Sequence, residues 1–444
     1  MSVKFIEDKG DILAFFPETA RFFKVNEDTK LAIKQIEENV PYEELEKQGM
    51  DKESYENIKN MVDACNASTP FQPPYGKKHL GKVVLHITNK CNLRCKYCYA
   101  NGGSYKSEEG IMTQQVAKQA LDLFFGEADS IGLVQLFGGE PTLNMPLIKY
   151  ICEYIKKENA KREQKTQIGI VTNGTNITEE FVQLIKEYSV FVTVSYDGTP
   201  EVNDKLRVYQ NGKGTSDTIL KNIKRLRKET GQPSMLEVTY TQNHVDAGIG
   251  IVDMIRDIQK NIGEIPLHIV PAGGALTCDY ALSDWEMFGE AVDDIFKEAA
   301  NMERMQIDAF NLMLRITGNL LTKEYSKYIC DAGIRAFSVS HTGDVYPCFI
   351  MNGEEKLNMG NVSDKNFFQS SSYKRVIKEF EANNKETKEE CKNCFARHSC
   401  YECIGLNYLE TGDVFKLSKR ACDMIRTMTE RIIVGLYRMS TKDS

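Results

Sequence analysis

The stretch His86–Gly103, HITNKCNLRCKYCYANGG, holds three thiols, Cys91, Cys95 and Cys98, in a C-x-x-x-C-x-x-C spacing with Tyr97 just before the last. Four thiols would close a zinc site or fill every ligand position of an iron–sulfur cluster. Three leave one position open, and an open position is where a metal site does chemistry. Seven more cysteines crowd the last third of the chain: Cys330, Cys348, Cys391, Cys394, Cys400, Cys403 and Cys422. Gly343-x4-Cys348 precedes Cys391-x2-Cys394-x5-Cys400-x2-Cys403, and Cys422 follows. Clustered C-x-x-C pairs in an intracellular chain read as metal ligands. Taken alone, the second set is ribbon-like and suits zinc or iron–sulfur equally on geometry. None of the six histidines falls at ligand spacing among the cysteines, and His398, between Cys394 and Cys400, reads as a surface residue. Cys65 and Cys152 read as buried small apolar side chains.

The whole chain gives these thiols a setting. It has 444 residues, enough for one large domain and one or two smaller ones, and 41% apolar residues suffice for a core. A net charge of −7 gives no electrostatic footprint for nucleic acid or an anionic membrane. No apolar run reaches the length of a membrane span, and MSVKFIEDKG lacks a signal-peptide core. The expected location is the cytoplasm, where thirteen cysteines would be unusual as disulfides.

Hydrophobic patterning supplies the elements. VKFIED, DILAFFP and RFFKV read as short strands. NEDTKLAIKQIEENV follows as a helix capped by Asn26, then PYEELEKQG and DKESYENIKNMVDACN as two more. Three strands and three helices over 1–70 suggest a winged-helix-like module. STPFQPPYGKK, with three prolines, reads as a linker. Between 80 and 305, six strand candidates (KVVLHIT, IGLVQLFG, TQIGIVTN, VFVTVSYD, SMLEVTYT and LHIVPAG) alternate with helical runs, which argues for a parallel α/β sheet. Spacing alone leaves an open sheet and a partly closed barrel as alternatives. Four unusual loops follow strand ends: the cysteine loop, Gly138-Gly139-Glu140-Pro141, Asn173-Gly174 and Ser195-Tyr196-Asp197-Gly198. Sites in such folds form at the carboxyl ends of the strands. A helical stretch, DWEMFGEAVDDIFKEAANMERM, and a bridging region over 306–329 lead to a loop-rich segment over 330–425. That segment has few apolar runs, and metal clusters would staple it. A C-terminal helix and tail follow over 426–444.

These motifs, in this order over roughly 82–425, resemble the radical S-adenosylmethionine superfamily. The resemblance implies a partial (β/α)6 barrel. It also implies a four-iron cluster on Cys91, Cys95 and Cys98, whose free iron binds the amino and carboxylate groups of S-adenosyl-L-methionine. Reductive cleavage of that cofactor gives a 5′-deoxyadenosyl radical, which takes a hydrogen atom from substrate. Gly138, Gly139 and Glu140 resemble the family's G-G-E motif, with glycines allowing close approach and Glu140 accepting from the methionine ammonium. Ser195 and Asp197 sit where the family contacts the cofactor. Asn173 is a further polar contact, Arg207 would pair with the methionine carboxylate, and Tyr97 would lie near the adenine.

The later cysteines resemble the SPASM domain, which carries auxiliary clusters, although two residues stand between Cys400 and Cys403 where the usual pattern has three. By resemblance Cys391, Cys394, Cys400 and Cys422 close one cluster, and Cys330, Cys348 and Cys403 serve another. Three 4Fe–4S clusters are thus expected. Seven thiols do not fill eight positions, so an auxiliary iron is open or takes a fourth ligand, for which Cys278 is the candidate. The N-terminal module resembles the peptide-recognition element of ribosomal-peptide modifying enzymes, which binds a leader peptide as an added strand. The expected partners are a precursor peptide with its leader and a low-potential ferredoxin or flavodoxin. The expected reaction is thioether formation between a peptide cysteine and a carbon of another residue. Carbon–carbon crosslinking is an alternative. An anaerobic sulfatase-maturing enzyme is another, although it carries an acid soon after the G-x4-C cysteine, where this chain has Phe349 and Ile350. A zinc-stapled binding protein is the non-enzyme alternative.

Overall fold

A computed structural model describes residues 2–67, 78–105, 107–274, 276–299, 310–323 and 326–441. The proline-rich linker and the end of the helical stretch beyond Ala299 lie outside these. Eleven strands are described: β1 (Lys4–Asp8), β2 (Asp11–Phe16), β3 (Arg21–Val25), β4 (His79–Thr88), β5 (Ser130–Gly138), β6 (Gln167–Thr172), β7 (Phe191–Ser195), β8 (Met235–Tyr240), β9 (Leu267–Pro271), β10 (Ala336–Val339) and β11 (Val345–Tyr346).

The strands β4 to β9 pair in parallel and in chain order. Each crossover therefore runs the same way, and right-handed crossovers put all the helices on one face. The other face turns inward as the lumen of a partial barrel. Alternation along the strands follows from this. Val83, Leu85, Ile87, Val134, Leu136, Leu236, Val238, Leu267 and Ile269 join the main core under the helices, so Lys82, His86, Gln135, Phe137, Glu237 and His268 take the lumen face. Sequence reading did not find β10, which pairs in parallel with β4, or β11, which returns antiparallel. They extend the sheet from the cysteine-rich region and place Cys348 against the barrel.

The N-terminal strands form their own antiparallel sheet in the order β1-β2-β3, followed by helices Glu27–Glu37, Tyr42–Lys47 and Lys52–Asn66. Asn26 caps the first, accepting from Thr29 N at 2.8 Å. The run DILAFF is apolar throughout because β2 is buried on both sides. Ala14 and Phe16 face a small core with Val62 and Cys65, while Leu13 and Phe15 face the main body. Glu18 accepts from Arg397 at 3.3 Å and lies 3.2 Å from His398 Nε2. His398 is therefore part of the joint between the module and the cysteine-rich region, not a surface residue. Lys4–Glu430 (2.8 Å) and Arg438–Asp8 tie the module to the C-terminal helix. That helix runs unbroken over Lys419–Ser440, capped by Ser418, so it crosses the boundary expected at 425/426 and carries Cys422 on its first turn. Among the described residues no helix is long and apolar enough to cross a membrane.

Candidate functional site

The carboxyl ends of β4 to β7 bring the first thiols and their neighbours together. Beyond Thr88 the chain is held from both sides. Gly139 N donates to Thr88 O and Glu140 N to Lys90 O, each at 2.8 Å, while Arg94 N and Lys96 N donate to Val208 O and Leu206 O. The two glycines make this possible. A Cβ on Gly138 would lie 1.9 Å from Thr88 O, and one on Gly139 would lie 2.2 Å from Lys90 O. The close approach that calls for glycine is thus by the cysteine loop itself. Leu93 N donates to Cys91 Sγ at 3.4 Å and Gly102 N to Cys98 Sγ at 3.3 Å. Burial pushes the Cys91 thiol up to about 12, and the Glu140 carboxylate adds to the shift. Burial also raises Cys95, opposed by Arg207. Such thiols ionise readily only when a metal takes the place of the proton.

Glu140 is fully buried. Its Oε1 accepts from Thr142 N, Thr142 Oγ1 and Thr172 Oγ1, and its Oε2 accepts from Asn173 N at 2.7 Å. Its bonds go to the chain, and they fix Asn173, whose Nδ2 lies 2.8 Å from Asn92 Oδ1 and 3.9 Å from Cys91 Sγ. Across the site Tyr97 donates to Asp197 Oδ2 at 2.5 Å, and Arg207 Nη1 donates to Tyr97 Oη at 2.8 Å. Thr239 N donates to Asp197 Oδ1. The Tyr97 hydroxyl, expected near an adenine, is thus engaged by two side chains of the chain. Arg207 Nε is buried with no acceptor among the described residues. An anionic group such as an amino-acid carboxylate fits this unpaired donor. Ser195 lies half-buried on the lumen face, in register with Glu237.

The later thiols fall into two groups. Cys391, Cys394, Cys400 and Cys422 line one cavity with Lys385, Glu402 and Arg426. Burial pushes Cys400 up to about 12. Lys385 is nearly inaccessible; burial lowers its pKa and the Cys400, Cys391 and Cys394 thiols oppose that. Its Nζ donates to Cys400 O at 3.0 Å. A buried ammonium beside four thiols suits a net-anionic thiolate cluster. Cys330, Cys348 and Cys403 form the second group. Burial raises all three, and the Cys330 and Cys348 thiols further raise Cys403. Cys278 neighbours Tyr280. Among the described residues no three His, Cys, Asp or Glu side chains are arranged to hold one metal ion.

Sequence reading missed the lumen. His86 is buried with neither ring nitrogen partnered among the described residues. It packs edge-on against Tyr105 and Phe137, and Phe349 packs on Phe137. Alternation along β4 is the signal that would have revealed it, but HIT gives little contrast between faces.

A parallel barrel with an open thiol triad at its rim and a second thiol-rich domain beside it defines a radical S-adenosylmethionine enzyme. Residues 85–241 match the radical SAM superfamily and residues 330–395 match SPASM, an iron–sulfur cluster-binding domain. The chain belongs to the radical SAM superfamily and carries a SPASM domain, which together imply 4Fe–4S clusters and S-adenosylmethionine as cofactors. It is 29% identical over 335 residues to the cysteine-type anaerobic sulfatase-maturating enzyme of Clostridium novyi (71% of this chain, 85% of that protein). It is 30% identical over 300 residues to the uncharacterized protein MJ0907 of Methanocaldococcus jannaschii (66% and 91%). Its fold is similar to that of anSMEcpe with bound AdoMet, at TM-score 0.67 and 20% identity over 82% of this chain and 100% of the other. It is also similar to Streptococcus suis SuiB bound to precursor peptide SuiA, at TM-score 0.54 and 14% identity over 95% and 98%.

Proposed function

We propose that this chain is a peptide maturase that joins a cysteine sulfur to a carbon of another residue in a ribosomally made precursor. The observation that carries the reading is the division of the C-terminal thiols into a group of four and a group of three. Four thiols complete a cluster; three leave one iron for a thiolate from outside, and a peptide cysteine supplies it. In this reading Cys91, Cys95 and Cys98 hold the cluster that binds S-adenosylmethionine, which supplies a hydrogen-atom acceptor when bound. Arg207 and Asn173 orient that cofactor, and Glu140 and Asp197 hold the loops that present it. Cys391, Cys394, Cys400 and Cys422 hold one auxiliary cluster and Cys330, Cys348 and Cys403 the open one, three 4Fe–4S clusters in all.

The module over 2–67 is assigned to the leader. Its outer strand β3 pairs only with β2 among the described residues, and Phe23 is 40% exposed on it. An extended peptide can add to such an edge. A low-potential ferredoxin or flavodoxin would deliver the electrons. The sulfatase-maturating relative favours a second reading, oxidation of a protein cysteine or serine to formylglycine; Phe349 and Ile350 after Cys348 weigh against it.

The test is anaerobic reaction of the reconstituted chain with S-adenosylmethionine, a reductant and cysteine-containing peptides from the reading frames flanking its gene. A peptide lighter by two hydrogens, its cysteine no longer alkylatable, is expected. An unchanged peptide mass beside accumulating 5′-deoxyadenosine would refute the reading.

A further inference from the structure

Thioether formation removes two hydrogens from the peptide, and only one leaves as an atom to the adenosyl fragment. The other is the cysteine S–H proton. When the S–H bond breaks, the sulfur keeps the electron pair and the proton passes to a base. The carbon radical and the sulfur pair then form the C–S bond, and the surplus electron would go to an oxidised iron–sulfur cluster of the kind that Cys330, Cys348 and Cys403 would hold. A base is therefore required in the lumen.

The strands put one candidate there. Ser195, Glu237 and His268 lie in register on β7, β8 and β9. Their strand neighbours Val194, Leu236, Val238, Leu267 and Ile269 are buried in the outer core, so all three present the lumen face in one row. Adjacent strands are about 4.8 Å apart, which makes the two side chains neighbours along the row. The row sits just below the Asp197–Tyr97–Arg207 network, since Thr239 N, two residues beyond Glu237, donates to Asp197. The Glu237 charge reaches the Tyr99 hydroxyl, next to Cys98. On the other side, Lys82 acts on His268 and also on Cys330 and Cys348. Glu237 thus acts toward the first thiol triad, and Lys82 is shared by His268 and the group of three.

We propose that His268, with Glu237 beside it, is the lumen base that accepts the thiol proton of the substrate cysteine. The assignment rests on the thioether reading. Other lumen groups are less suited. Phe349 and Ile350 carry no base, and the Tyr97 hydroxyl is committed to Asp197 and Arg207. Burial and the His341 charge hold the His86 imidazole at about 3, far too low to keep a proton. Burial lowers His268, which keeps it neutral and able to accept; Glu237 pulls in the opposite direction and favours the imidazolium, while the Arg315 and Lys82 cations oppose it.

The test uses the full-length reconstituted enzyme and the same flanking-frame peptides, deuterated at the carbon that is crosslinked. His268→Gln and the milder Glu237→Gln are compared with wild type for iron content, peptide affinity, 5′-deoxyadenosine, deuterium transfer and crosslinked product. Loss of a general base typically costs about 100-fold or more. His268→Gln should lower crosslinked product about 100-fold and Glu237→Gln about 10-fold. Iron content, peptide affinity and deuterium transfer to 5′-deoxyadenosine should persist, so that cofactor cleavage outruns crosslinking. Product formation by His268→Gln within threefold of wild type would overturn the assignment alone. So would product and 5′-deoxyadenosine falling together in both variants, a sign of damaged packing. If wild-type enzyme consumes cofactor but oxidises no peptide, the thioether reading itself falls and the base assignment with it.

Discussion

Replacing Gly139 by alanine probes how the cysteine loop is built. The new Cβ would stand 2.2 Å from Lys90 O, 2.5 Å from Lys90 C and 3.0 Å from Cys91 N, all backbone atoms. Restoring an ordinary contact requires the Lys90–Cys91 peptide to retreat by about 1 Å. The 2.8 Å bond from Glu140 N to Lys90 O resists that movement and would break. Overpacking of this kind costs about 1–3 kcal/mol, and the lost hydrogen bond adds about 1 kcal/mol, for about 2–4 kcal/mol in total. The displacement falls on Cys91 and leaves the C-terminal thiols untouched. Anaerobically reconstituted Gly139→Ala should therefore lose about four irons per chain, and the spectral change on adding S-adenosylmethionine should disappear. The remaining iron should stay. Gly126, near the end of helix Gln114–Glu127, is the control: a Cβ there meets nothing within 4 Å. Alanine at 126 should leave iron unchanged and raise stability by up to about 1 kcal/mol. Full iron in Gly139→Ala, with a melting temperature within a degree of wild type, would refute the steric argument.

Four other outcomes are expected. Tyr97→Phe removes the donor to Asp197 and the acceptor for Arg207 in a buried site, a loss of about 2–4 kcal/mol; it should raise the S-adenosylmethionine KM, measured from 5′-deoxyadenosine release. Joint replacement of Cys330, Cys348 and Cys403 by alanine should remove about four irons while spectroscopy still detects the response of the first centre to S-adenosylmethionine. Burial raises Glu402 from 4.5 to about 7, so the folded chain binds more protons than the unfolded one between those values, and stability falls as pH rises through that window. The fall is about 3 kcal/mol, and melting curves of Glu402→Gln should be flatter over the same range. Phe23→Ser on the exposed edge of β3 should weaken peptide binding, read by fluorescence anisotropy, about tenfold without changing iron content.

The six barrel strands were legible because each is a short apolar run closed by a turn, with an amphipathic helix between it and the next. The sequential pairing was not, since neither order nor curvature is written in periodicity. The pair β10 and β11 escaped notice for another reason: AFSV and VY are too short to carry a pattern, and only docking on β4 makes them strands. At the site the types of residue were readable but not always their partners. Gly138 and Gly139 signal a close approach, yet the sequence does not say to what, and the approaching group proved to be the backbone that carries the thiols. Glu140 likewise spends its acceptors on Thr142, Thr172 and Asn173.

The lumen was the least legible part, and the reason is physical. The lumen face of β8 and β9 is half-buried, not open to solvent, so it need not carry the consistently polar residues that mark a solvent-facing sheet. Glu237 in MLEVTY and His268 in LHIVP then look like isolated polar residues in apolar runs. Burying such groups costs free energy unless something answers them. A polar row on the inner face of the barrel therefore points to whatever enters it, and the proposed proton acceptor belongs to that row, with Glu237 and His268 in register.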